Sequence, residues 1–505
     1  MADVVIGTGP SGIAATHALI ARGRRVILLD GGRDLEPQAE ARRASAAGAW
    51  SDDMRPGWQA PQFETAPGQV RRYGSDFAME PRDETFADSA GIALRASRAS
   101  GGLSNLWGSA VLPYAHKDMA GWPVPAEEMD RHAAAVASLI PVSGRVDDLA
   151  ALFPGVPMQG RDPLRPSPQA ERLLDRLARA KDGLNRLGIT AGQARQAVAS
   201  DCSLCGQCLH GCPWGLIWSA RQALADLRSH PLVDYCPGTV LRSFAETAEG
   251  ITLTIQDGST LTADRAFLGA GVLETARILL ASLPGLPQIT LRDSQQAFLP
   301  ALHLWTAPRR PDRGAFHTLP QAFLELDAPE VSPHLVHAQL YTWNEYFPRD
   351  LIASYGKGIP GTGPLLRALA RRLIVAQTFL HSDHSHRIVL RLAPDGRLVA
   401  RVDRNADTDR VLALALDRVG RALSLAGLQP IRRAARPGAA GASFHVGASV
   451  PMAKAPAAGQ SDVLGRPHGL SRLHLIDASS LPAIPATTIT LGVMANAHRI
   501  GTLAP

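Results

Sequence analysis

The chain opens with the apolar run Val4-Val5-Ile6, breaks at Gly7-Thr8-Gly9-Pro10-Ser11-Gly12, and resumes as a helical pattern to about Arg22. Ala15, Ala18 and Leu19 carry the apolar face of that helix, and Gly23 closes it. Arg25 to Leu29 then reads as a second strand, ended by Asp30. Strand, glycine turn, helix, strand and acid in this order predict a dinucleotide-binding unit. The glycines let the backbone approach a pyrophosphate at the helix N-terminus, and the acid stands where it can accept from a ribose hydroxyl. This unit alone does not separate FAD from NAD.

Further along, the period changes to two. Leu335, His337, Gln339, Tyr341 and Trp343 alternate as one polar-aromatic strand face, and Gln377, Phe379 and His381 do the same on another strand. Such faces suit a pocket wall about as well as a solvent-facing surface or a contact with the cysteine-bearing segment. The apolar runs Leu373 to Leu380 and Ile388 to Leu392 are joined by His381-Ser382-Asp383-His384-Ser385-His386. That link predicts a hairpin turn, although its composition also admits a metal site. An amphipathic helix is expected near Ala170 to Leu187. A short basic one is expected over Leu365 to Leu373, packed on the surface or touching a membrane. Ala434 to Ala442 reads as a loop.

Composition narrows the class. A chain of 505 residues allows two or three domains, and 45% hydrophobic with 19% charged residues is ordinary globular usage. The formal charge of +6 is spread thinly, with no basic stripe or recognition fold, so nucleic-acid binding is not expected. No run approaches the ~18 to 20 apolar residues of a spanning helix. The first strand begins too early for a signal peptide, and a cytoplasmic location is expected.

Four of the five cysteines fall in Cys202-x2-Cys205-x2-Cys208-x3-Cys212-Pro213, the bacterial-ferredoxin spacing for a 4Fe-4S cluster. Gly206 and Gly211 leave that loop free to wrap. A structural zinc site usually pairs one C-x2-C with a distant second one, which this sequence lacks. Cys202, Cys205, Cys208 and Cys212 are therefore the expected ligands. Cys236-Pro237 also qualifies as the fourth, because a remote Cys-Pro completes such a set in two-cluster ferredoxins. A cluster moves single electrons, so redox chemistry is expected.

Several segments taken together resemble the glucose–methanol–choline (GMC) family of FAD oxidoreductases. They are Gly101-Gly102-Leu103-Ser104-Asn105-Leu106-Trp107-Gly108, Gly269-Ala270-Gly271 with Glu274-Thr275-Ala276, His445-Val446-Gly447-Ala448-Ser449, and the C-terminal stretch Leu473 to Leu491. They lie in the family's order over nearly the whole length. Cys205-Gly206-Gln207-Cys208 with Gly211-Cys212-Pro213 is similar to a bacterial branch that carries a cluster segment.

The resemblance implies an α/β fold: a Rossmann-like FAD-binding domain, an antiparallel-sheet substrate domain and a cysteine-cluster insert. The expected FAD-binding domain is discontinuous, at 1–115, 235–295 and 440–505, with the insert at 116–234 and the substrate domain at 296–439. Gly7, Gly9 and Gly12 would line the FAD pyrophosphate and Asp30 the adenosine ribose. Val240 would meet the adenine, Gly101, Gly102, Ser104 and Asn105 the isoalloxazine, and Asp477 and Ala478 the ribityl-pyrophosphate portion. Leu106 occupies the place where some relatives carry a flavin-linking histidine, so the FAD would be non-covalent.

His445 matches the family's base. Thr488 stands where the family usually has Asn or His holding the substrate oxygen, a departure that leaves the oxygen-positioning role open. The implied activity is an FAD- and iron–sulfur-dependent dehydrogenase that oxidises an alcohol or sugar hydroxyl. Its electrons would leave through the cluster to an acceptor protein or quinone. A redox-neutral flavin-dependent epimerase or isomerase, and an FAD/iron–sulfur electron carrier within a complex, remain alternatives.

Overall fold

The computed structural model of the chain describes residues 3–55, 64–66, 69–70, 74–304, 316–356 and 361–505. One sheet is wholly parallel, in the order Leu473–Leu475, Arg265–Leu268, Asp3–Ile6, Val26–Leu29, Val233–Cys236. Its three central strands carry the apolar runs Val4-Val5-Ile6, Val26–Leu29 and Ala266-Phe267-Leu268 rather than an alternating pattern, because both faces are covered there. Val4, Val5, Leu28, Phe267 and Leu475 are all fully buried.

Helices Pro10–Ala21 and Thr490–Leu503 pack tightly against one another: a Cβ on Gly501 would stand 2.9 Å from the Ala15 carbonyl oxygen. Arg22 closes the last helix by donating to the carbonyls of Gly501 at 2.9 Å and Ala504 at 2.7 Å. The two ends of the sequence thus build one layer.

A second, antiparallel sheet runs Leu428–Pro430, Gln296–His303, Leu373–Phe379, Val336–Tyr341, Ala322–Leu326, Ile189–Gln193, and Arg436–Pro437 also pairs with Gln296–His303. Leu412, Ala415 and Val419 of helix Thr408–Leu425 and Leu173 and Leu177 of helix Pro168–Arg179 cover one face. The opposite face looks toward the parallel sheet. Between them, Val446–Gly447, Ile289–Asp293, Arg387–Leu392, Leu398–Asp403 and Phe86–Asp88 form a linking sheet.

Three local expectations change. Leu373–Phe379 and Arg387–Leu392 do not form a hairpin, because they belong to different sheets. The His381–His386 link instead crosses from one sheet to the other beside Asp293–Gln296. Ser294 Oγ donates to the Leu380 carbonyl at 2.8 Å, and Gln295 N donates to Ser385 Oγ at 2.8 Å. Satisfying both crossings at once is what a hairpin could not do.

The helix expected over Ala170 to Leu187 is two helices, Pro168–Arg179 and Lys181–Arg186. The turn at Ala180 lets Gly183 lie against Leu425 of the covering helix. The basic helix is Thr362–Ala370, and Leu373 already begins a strand, paired opposite Leu302. Within Ala434 to Ala442, Arg436 pairs with Phe298 and Ala440 bridges Ile92, so this loop is held by sheet bonds. Among the described residues no helix is long and apolar enough to cross a membrane.

Candidate active site and cysteine centre

A cleft of about 460 Å³ runs from the C-terminal ends of the parallel strands to the open face of the antiparallel sheet. Ligands of open α/β sheets bind at that strand end. Gly7, Gly9, Asp30, Val240 and Glu274 line one end, and Gly102, Ser104, Asp477 and Ala478 the middle. Trp107, Gln339, Tyr341, Gln377, Phe379, His445 and Thr488 line the other. Of the two polar-aromatic strand faces, Gln339 and Tyr341 of one and Gln377 and Phe379 of the other are therefore cleft walls.

Gly12, Gly101 and Asn105 stand behind the wall. A Cβ on Gly12 would fall 1.8 Å from the Gly7 carbonyl oxygen, so only glycine allows this turn. Gly101, at φ 82°, leaves room for the Arg221 backbone, 2.3 Å from where its Cβ would be. Asn105 donates its amide to the carbonyls of Ser100 at 2.9 Å and Gly102 at 2.8 Å, pinning the loop from within.

Asp30 is buried, and Tyr235 donates to its Oδ2 at 3.1 Å. Burial raises its pKa, against the hydrogen bonds from Thr8 and Tyr235 that favour the carboxylate. No local sequence signal marks Tyr235, because its place beside Asp30 follows from the pairing of Leu28 with Tyr235 in the parallel sheet. Asp477 accepts from Thr275 Oγ1 at 2.6 Å and from Ser479 N at 2.9 Å, capping the short turn Ala478–Ser480. Burial raises its pKa as well.

His445 Nδ1 and Thr488 Oγ1 are buried atoms without a hydrogen-bond partner. Both residues line the cleft although they come from separate segments. Phe379 stacks on the imidazole with ring centroids 5.0 Å apart. Burial, and secondarily His337, pushes the His445 pKa down to about 3. The ring is accordingly neutral, and its free nitrogen can accept a proton.

Cys202, Cys205, Cys208 and Cys212 share one loop region, where Cys202 and Cys208 pack with Leu164, Val198 and Leu319. Burial pushes the Cys205 thiol up to about 12, and it raises Cys202 and Cys208 too, with neighbouring cysteines of the set adding to each shift. Such a group holds thiolates only around a cation. Two sulfurs already accept backbone hydrogen bonds, Thr318 N to Cys208 Sγ and Leu216 N to Cys212 Sγ, each at 3.4 Å. Donors of this kind suit cluster sulfurs. Cys236 ends a strand of the parallel sheet and packs in the core beside that sheet instead, apart from the cluster that holds Cys202 and Cys208.

The cysteine segment leads straight to the cleft. Ala220 N donates to Ser104 Oγ at 2.9 Å, and Ser104 Oγ donates to the Gly101 carbonyl at 2.6 Å. Trp107 and Trp218 meet edge to face with centroids 5.8 Å apart.

A third gathering lies at the sheet crossing. His334 and His381 stack with centroids 3.6 Å apart and planes 15° apart. His334 Nε2 lies 3.1 Å from Asp383 Oδ2, and its Nδ1 lies 3.7 Å from Asp118 Oδ1. Asp118 and Asp383 hold His334 up to about 9, whereas burial and then His334 push His381 down to about 4. His381 Nδ1 also accepts from Asp383 N at 3.2 Å. His334, His381 and Asp383 bring one donor atom each within 4.8 Å of the others, a set that could hold a metal ion, in competition with the contacts of His334 to Asp118 and Asp383.

Fold and cleft define a class: a Rossmann-like α/β layer with a parallel sheet, facing an antiparallel-sheet layer. Among solved structures, that of a pyridoxine 4-oxidase from Mesorbium loti shares it at a TM-score of 0.61, covering 99% of this chain and 98% of that one. Identity between the two is 16%, so the likeness establishes the fold alone. No family model matches the chain, and no curated protein does.

Proposed function

We propose that this protein is an FAD-dependent oxidoreductase that oxidises a CH–OH group of a neutral small molecule, with an iron–sulfur cluster as its electron outlet. One observation carries the reading. His445 and Thr488, each with a buried polar atom lacking a partner among the described residues, line the same cleft as the glycine turn and Asp30. Gly7 and Gly9 would hold the pyrophosphate and Asp30 the ribose, while Gly102, Ser104, Asp477 and Ala478 would hold the flavin half. FAD supplies hydride acceptance when bound. His445 takes the hydroxyl proton on its free nitrogen, and Thr488 donates to, or accepts from, the substrate oxygen. Phe379 keeps water from one face of the imidazole.

The cluster, held by Cys202, Cys205, Cys208 and Cys212, would release electrons singly to an acceptor protein or quinone. The contact of Trp218 with Trp107 supports that route, because it joins the cysteine segment to the cleft wall. Zinc in the four thiolates is the competing occupant, and iron and sulfide analysis separates the two. The test of the reaction is an anaerobic screen of alcohols, sugars and pyridoxine for flavin bleaching. Bleaching by a hydroxyl compound, followed by reduction of the cluster, is the expected result. Turnover without any acceptor would indicate an epimerase or isomerase. Reduction only by a partner protein would indicate an electron carrier.

A further inference from the structure

The antiparallel sheet seals an acid–imidazole pair away from water. Glu325 and His337 stand directly opposite one another on neighbouring strands, and both side chains are 0% exposed. His337 Nδ1 lies 2.7 Å from Glu325 Oε1. Proton transfer by His445 uses neither. Contacts continue along the face of the His337 strand toward the cleft. His337 Nε2 lies 3.2 Å from Gln339 Nε2, and the Tyr341 hydroxyl donates to Gln339 Oε1 at 2.8 Å. Gln339 and Tyr341 line the cleft; Glu325 and His337 sit behind them.

With the Gln339 amide as placed, these partners fit one arrangement of protons. An amide nitrogen only donates, so His337 Nε2 must offer its lone pair. The ring proton is then on Nδ1, where the Glu325 carboxylate accepts it. Reversing the Gln339 amide would set its oxygen against Nε2 and call for a proton there, the Nε2–H or doubly protonated ring that the spectroscopic readout below distinguishes. With the amide as placed, the Tyr341 proton is committed to Gln339. The Tyr341 oxygen is left to the cleft as an acceptor. Among the described residues at this end, Trp107, Gln339, Tyr341, Gln377, Phe379 and Thr488 carry no formal charge.

We infer that Glu325 and His337 are positioning residues. They set the hydrogen-bond polarity of the substrate wall, so that Tyr341 accepts from a hydroxyl of a neutral, multiply hydroxylated substrate. The substrate class rests on the proposed oxidoreductase reading; the proton assignment does not. Orientation, not the carboxylate charge, is the contribution of Glu325.

Three variants and one spectroscopic readout test this. Glu325→Gln keeps an acceptor opposite Nδ1–H, and its KM for the substrate found by flavin bleaching should stay within about threefold of the wild type. Glu325→Leu removes the acceptor and should raise KM about tenfold, the scale of one lost hydrogen bond, with FAD content unchanged and kcat less affected. Tyr341→Phe should raise KM similarly, and adding it to Glu325→Leu should cost little more. Should Glu325→Leu fail to fold, Tyr341→Phe and the His337 tautomer still decide.

Isotope-edited nitrogen NMR, with the His337 signal identified by His337→Asn, should show the Nδ1–H tautomer in the resting enzyme. Equal behaviour of Glu325→Gln and Glu325→Leu, or an Nε2–H or doubly protonated His337 at neutral pH, overturns the inference. If the tautomer is as assigned but no hydroxyl compound bleaches the flavin, the oxidoreductase reading and the substrate class fail together, and only the proton assignment survives.

Discussion

The indole N–H of Trp107 donates to the backbone carbonyl of Trp218 at 2.9 Å. Trp107 is a cleft wall, and Trp218 follows the last clustered cysteine by a short stretch whose Leu216 N–H reaches Cys212 Sγ. With the Ala220 N to Ser104 Oγ bond, the Trp107 bond ties the cysteine segment to the cleft. Trp218 N in turn donates to the Ala197 carbonyl at 2.9 Å, so the segment is fixed on both sides.

Trp107→Phe should sever that bond while leaving FAD bound. An unmade buried hydrogen bond of this kind costs about 1 kcal/mol, so the melting temperature should fall modestly. Stopped-flow mixing with a reducing substrate should show the usual flavin bleaching and slower cluster reduction. Cluster reduction at the wild-type rate would mean that electrons take another route.

His445→Ala should lower substrate-driven flavin reduction on the order of 10² to 10⁴ fold without loss of FAD. The pH profile offers a second check. The pKa of His445 in the folded protein is down at about 3, so the ring is already neutral throughout pH 5 to 8. The rate limit set by this base should show no acidic limb near 6.5. In stability terms the unfolded chain binds the extra proton between about pH 6.5 and 3, so the contribution of His445 is intact above that window and lost as pH falls through it. A limb near 6.5 that disappears in His445→Ala would contradict the burial argument.

Cys212→Ser should lose or convert the cluster, whereas Cys236→Ser should keep full iron content and absorbance. Cys236 is tied to the parallel sheet by pairing with Leu29, which holds it apart from the cysteine loop. Iron loss in the Cys236 variant alone would assign the fourth ligand to it.

Asp30→Ala removes the carboxylate that Tyr235 and Gly32 N both address, the latter at 3.2 Å. A hydrogen bond to a charged group is worth about 1.5–3 kcal/mol, so FAD affinity should fall roughly ten- to hundredfold. Titrating FAD into the apoprotein and following its fluorescence measures this directly. Unchanged affinity would place the ribose elsewhere.

Much of the fold and of the cleft is legible in the amino-acid sequence. The stretch from Val4 to Asp30 encodes its own strand–turn–helix–strand because its signals are local: apolar runs, a turn only glycine can make, and a helix start beside it. The cysteine spacing is equally local, since four thiols on one short loop cannot lie far apart. Alternation at His337, Gln339 and Tyr341 announces one strand face, as period two must.

Which neighbours those faces would meet is not encoded locally. Glu325 is a lone acid in the apolar strand Ala322–Leu326, and only its register opposite His337 turns it from an oddity into a partner. The link His381–His386 carries ordinary turn composition, yet its two flanking strands join different sheets. His445 and Thr488 share a cleft only because the linking sheet and the final helix both pack on the parallel sheet. Local sequence determined the backbone turns, the strand periods and the cysteine loop. Tertiary packing decided strand register, the side of each sheet that faces the cleft, and the separation of Cys236 from the other cysteines. Those depend on contacts between residues hundreds of positions apart, which no short window of sequence contains.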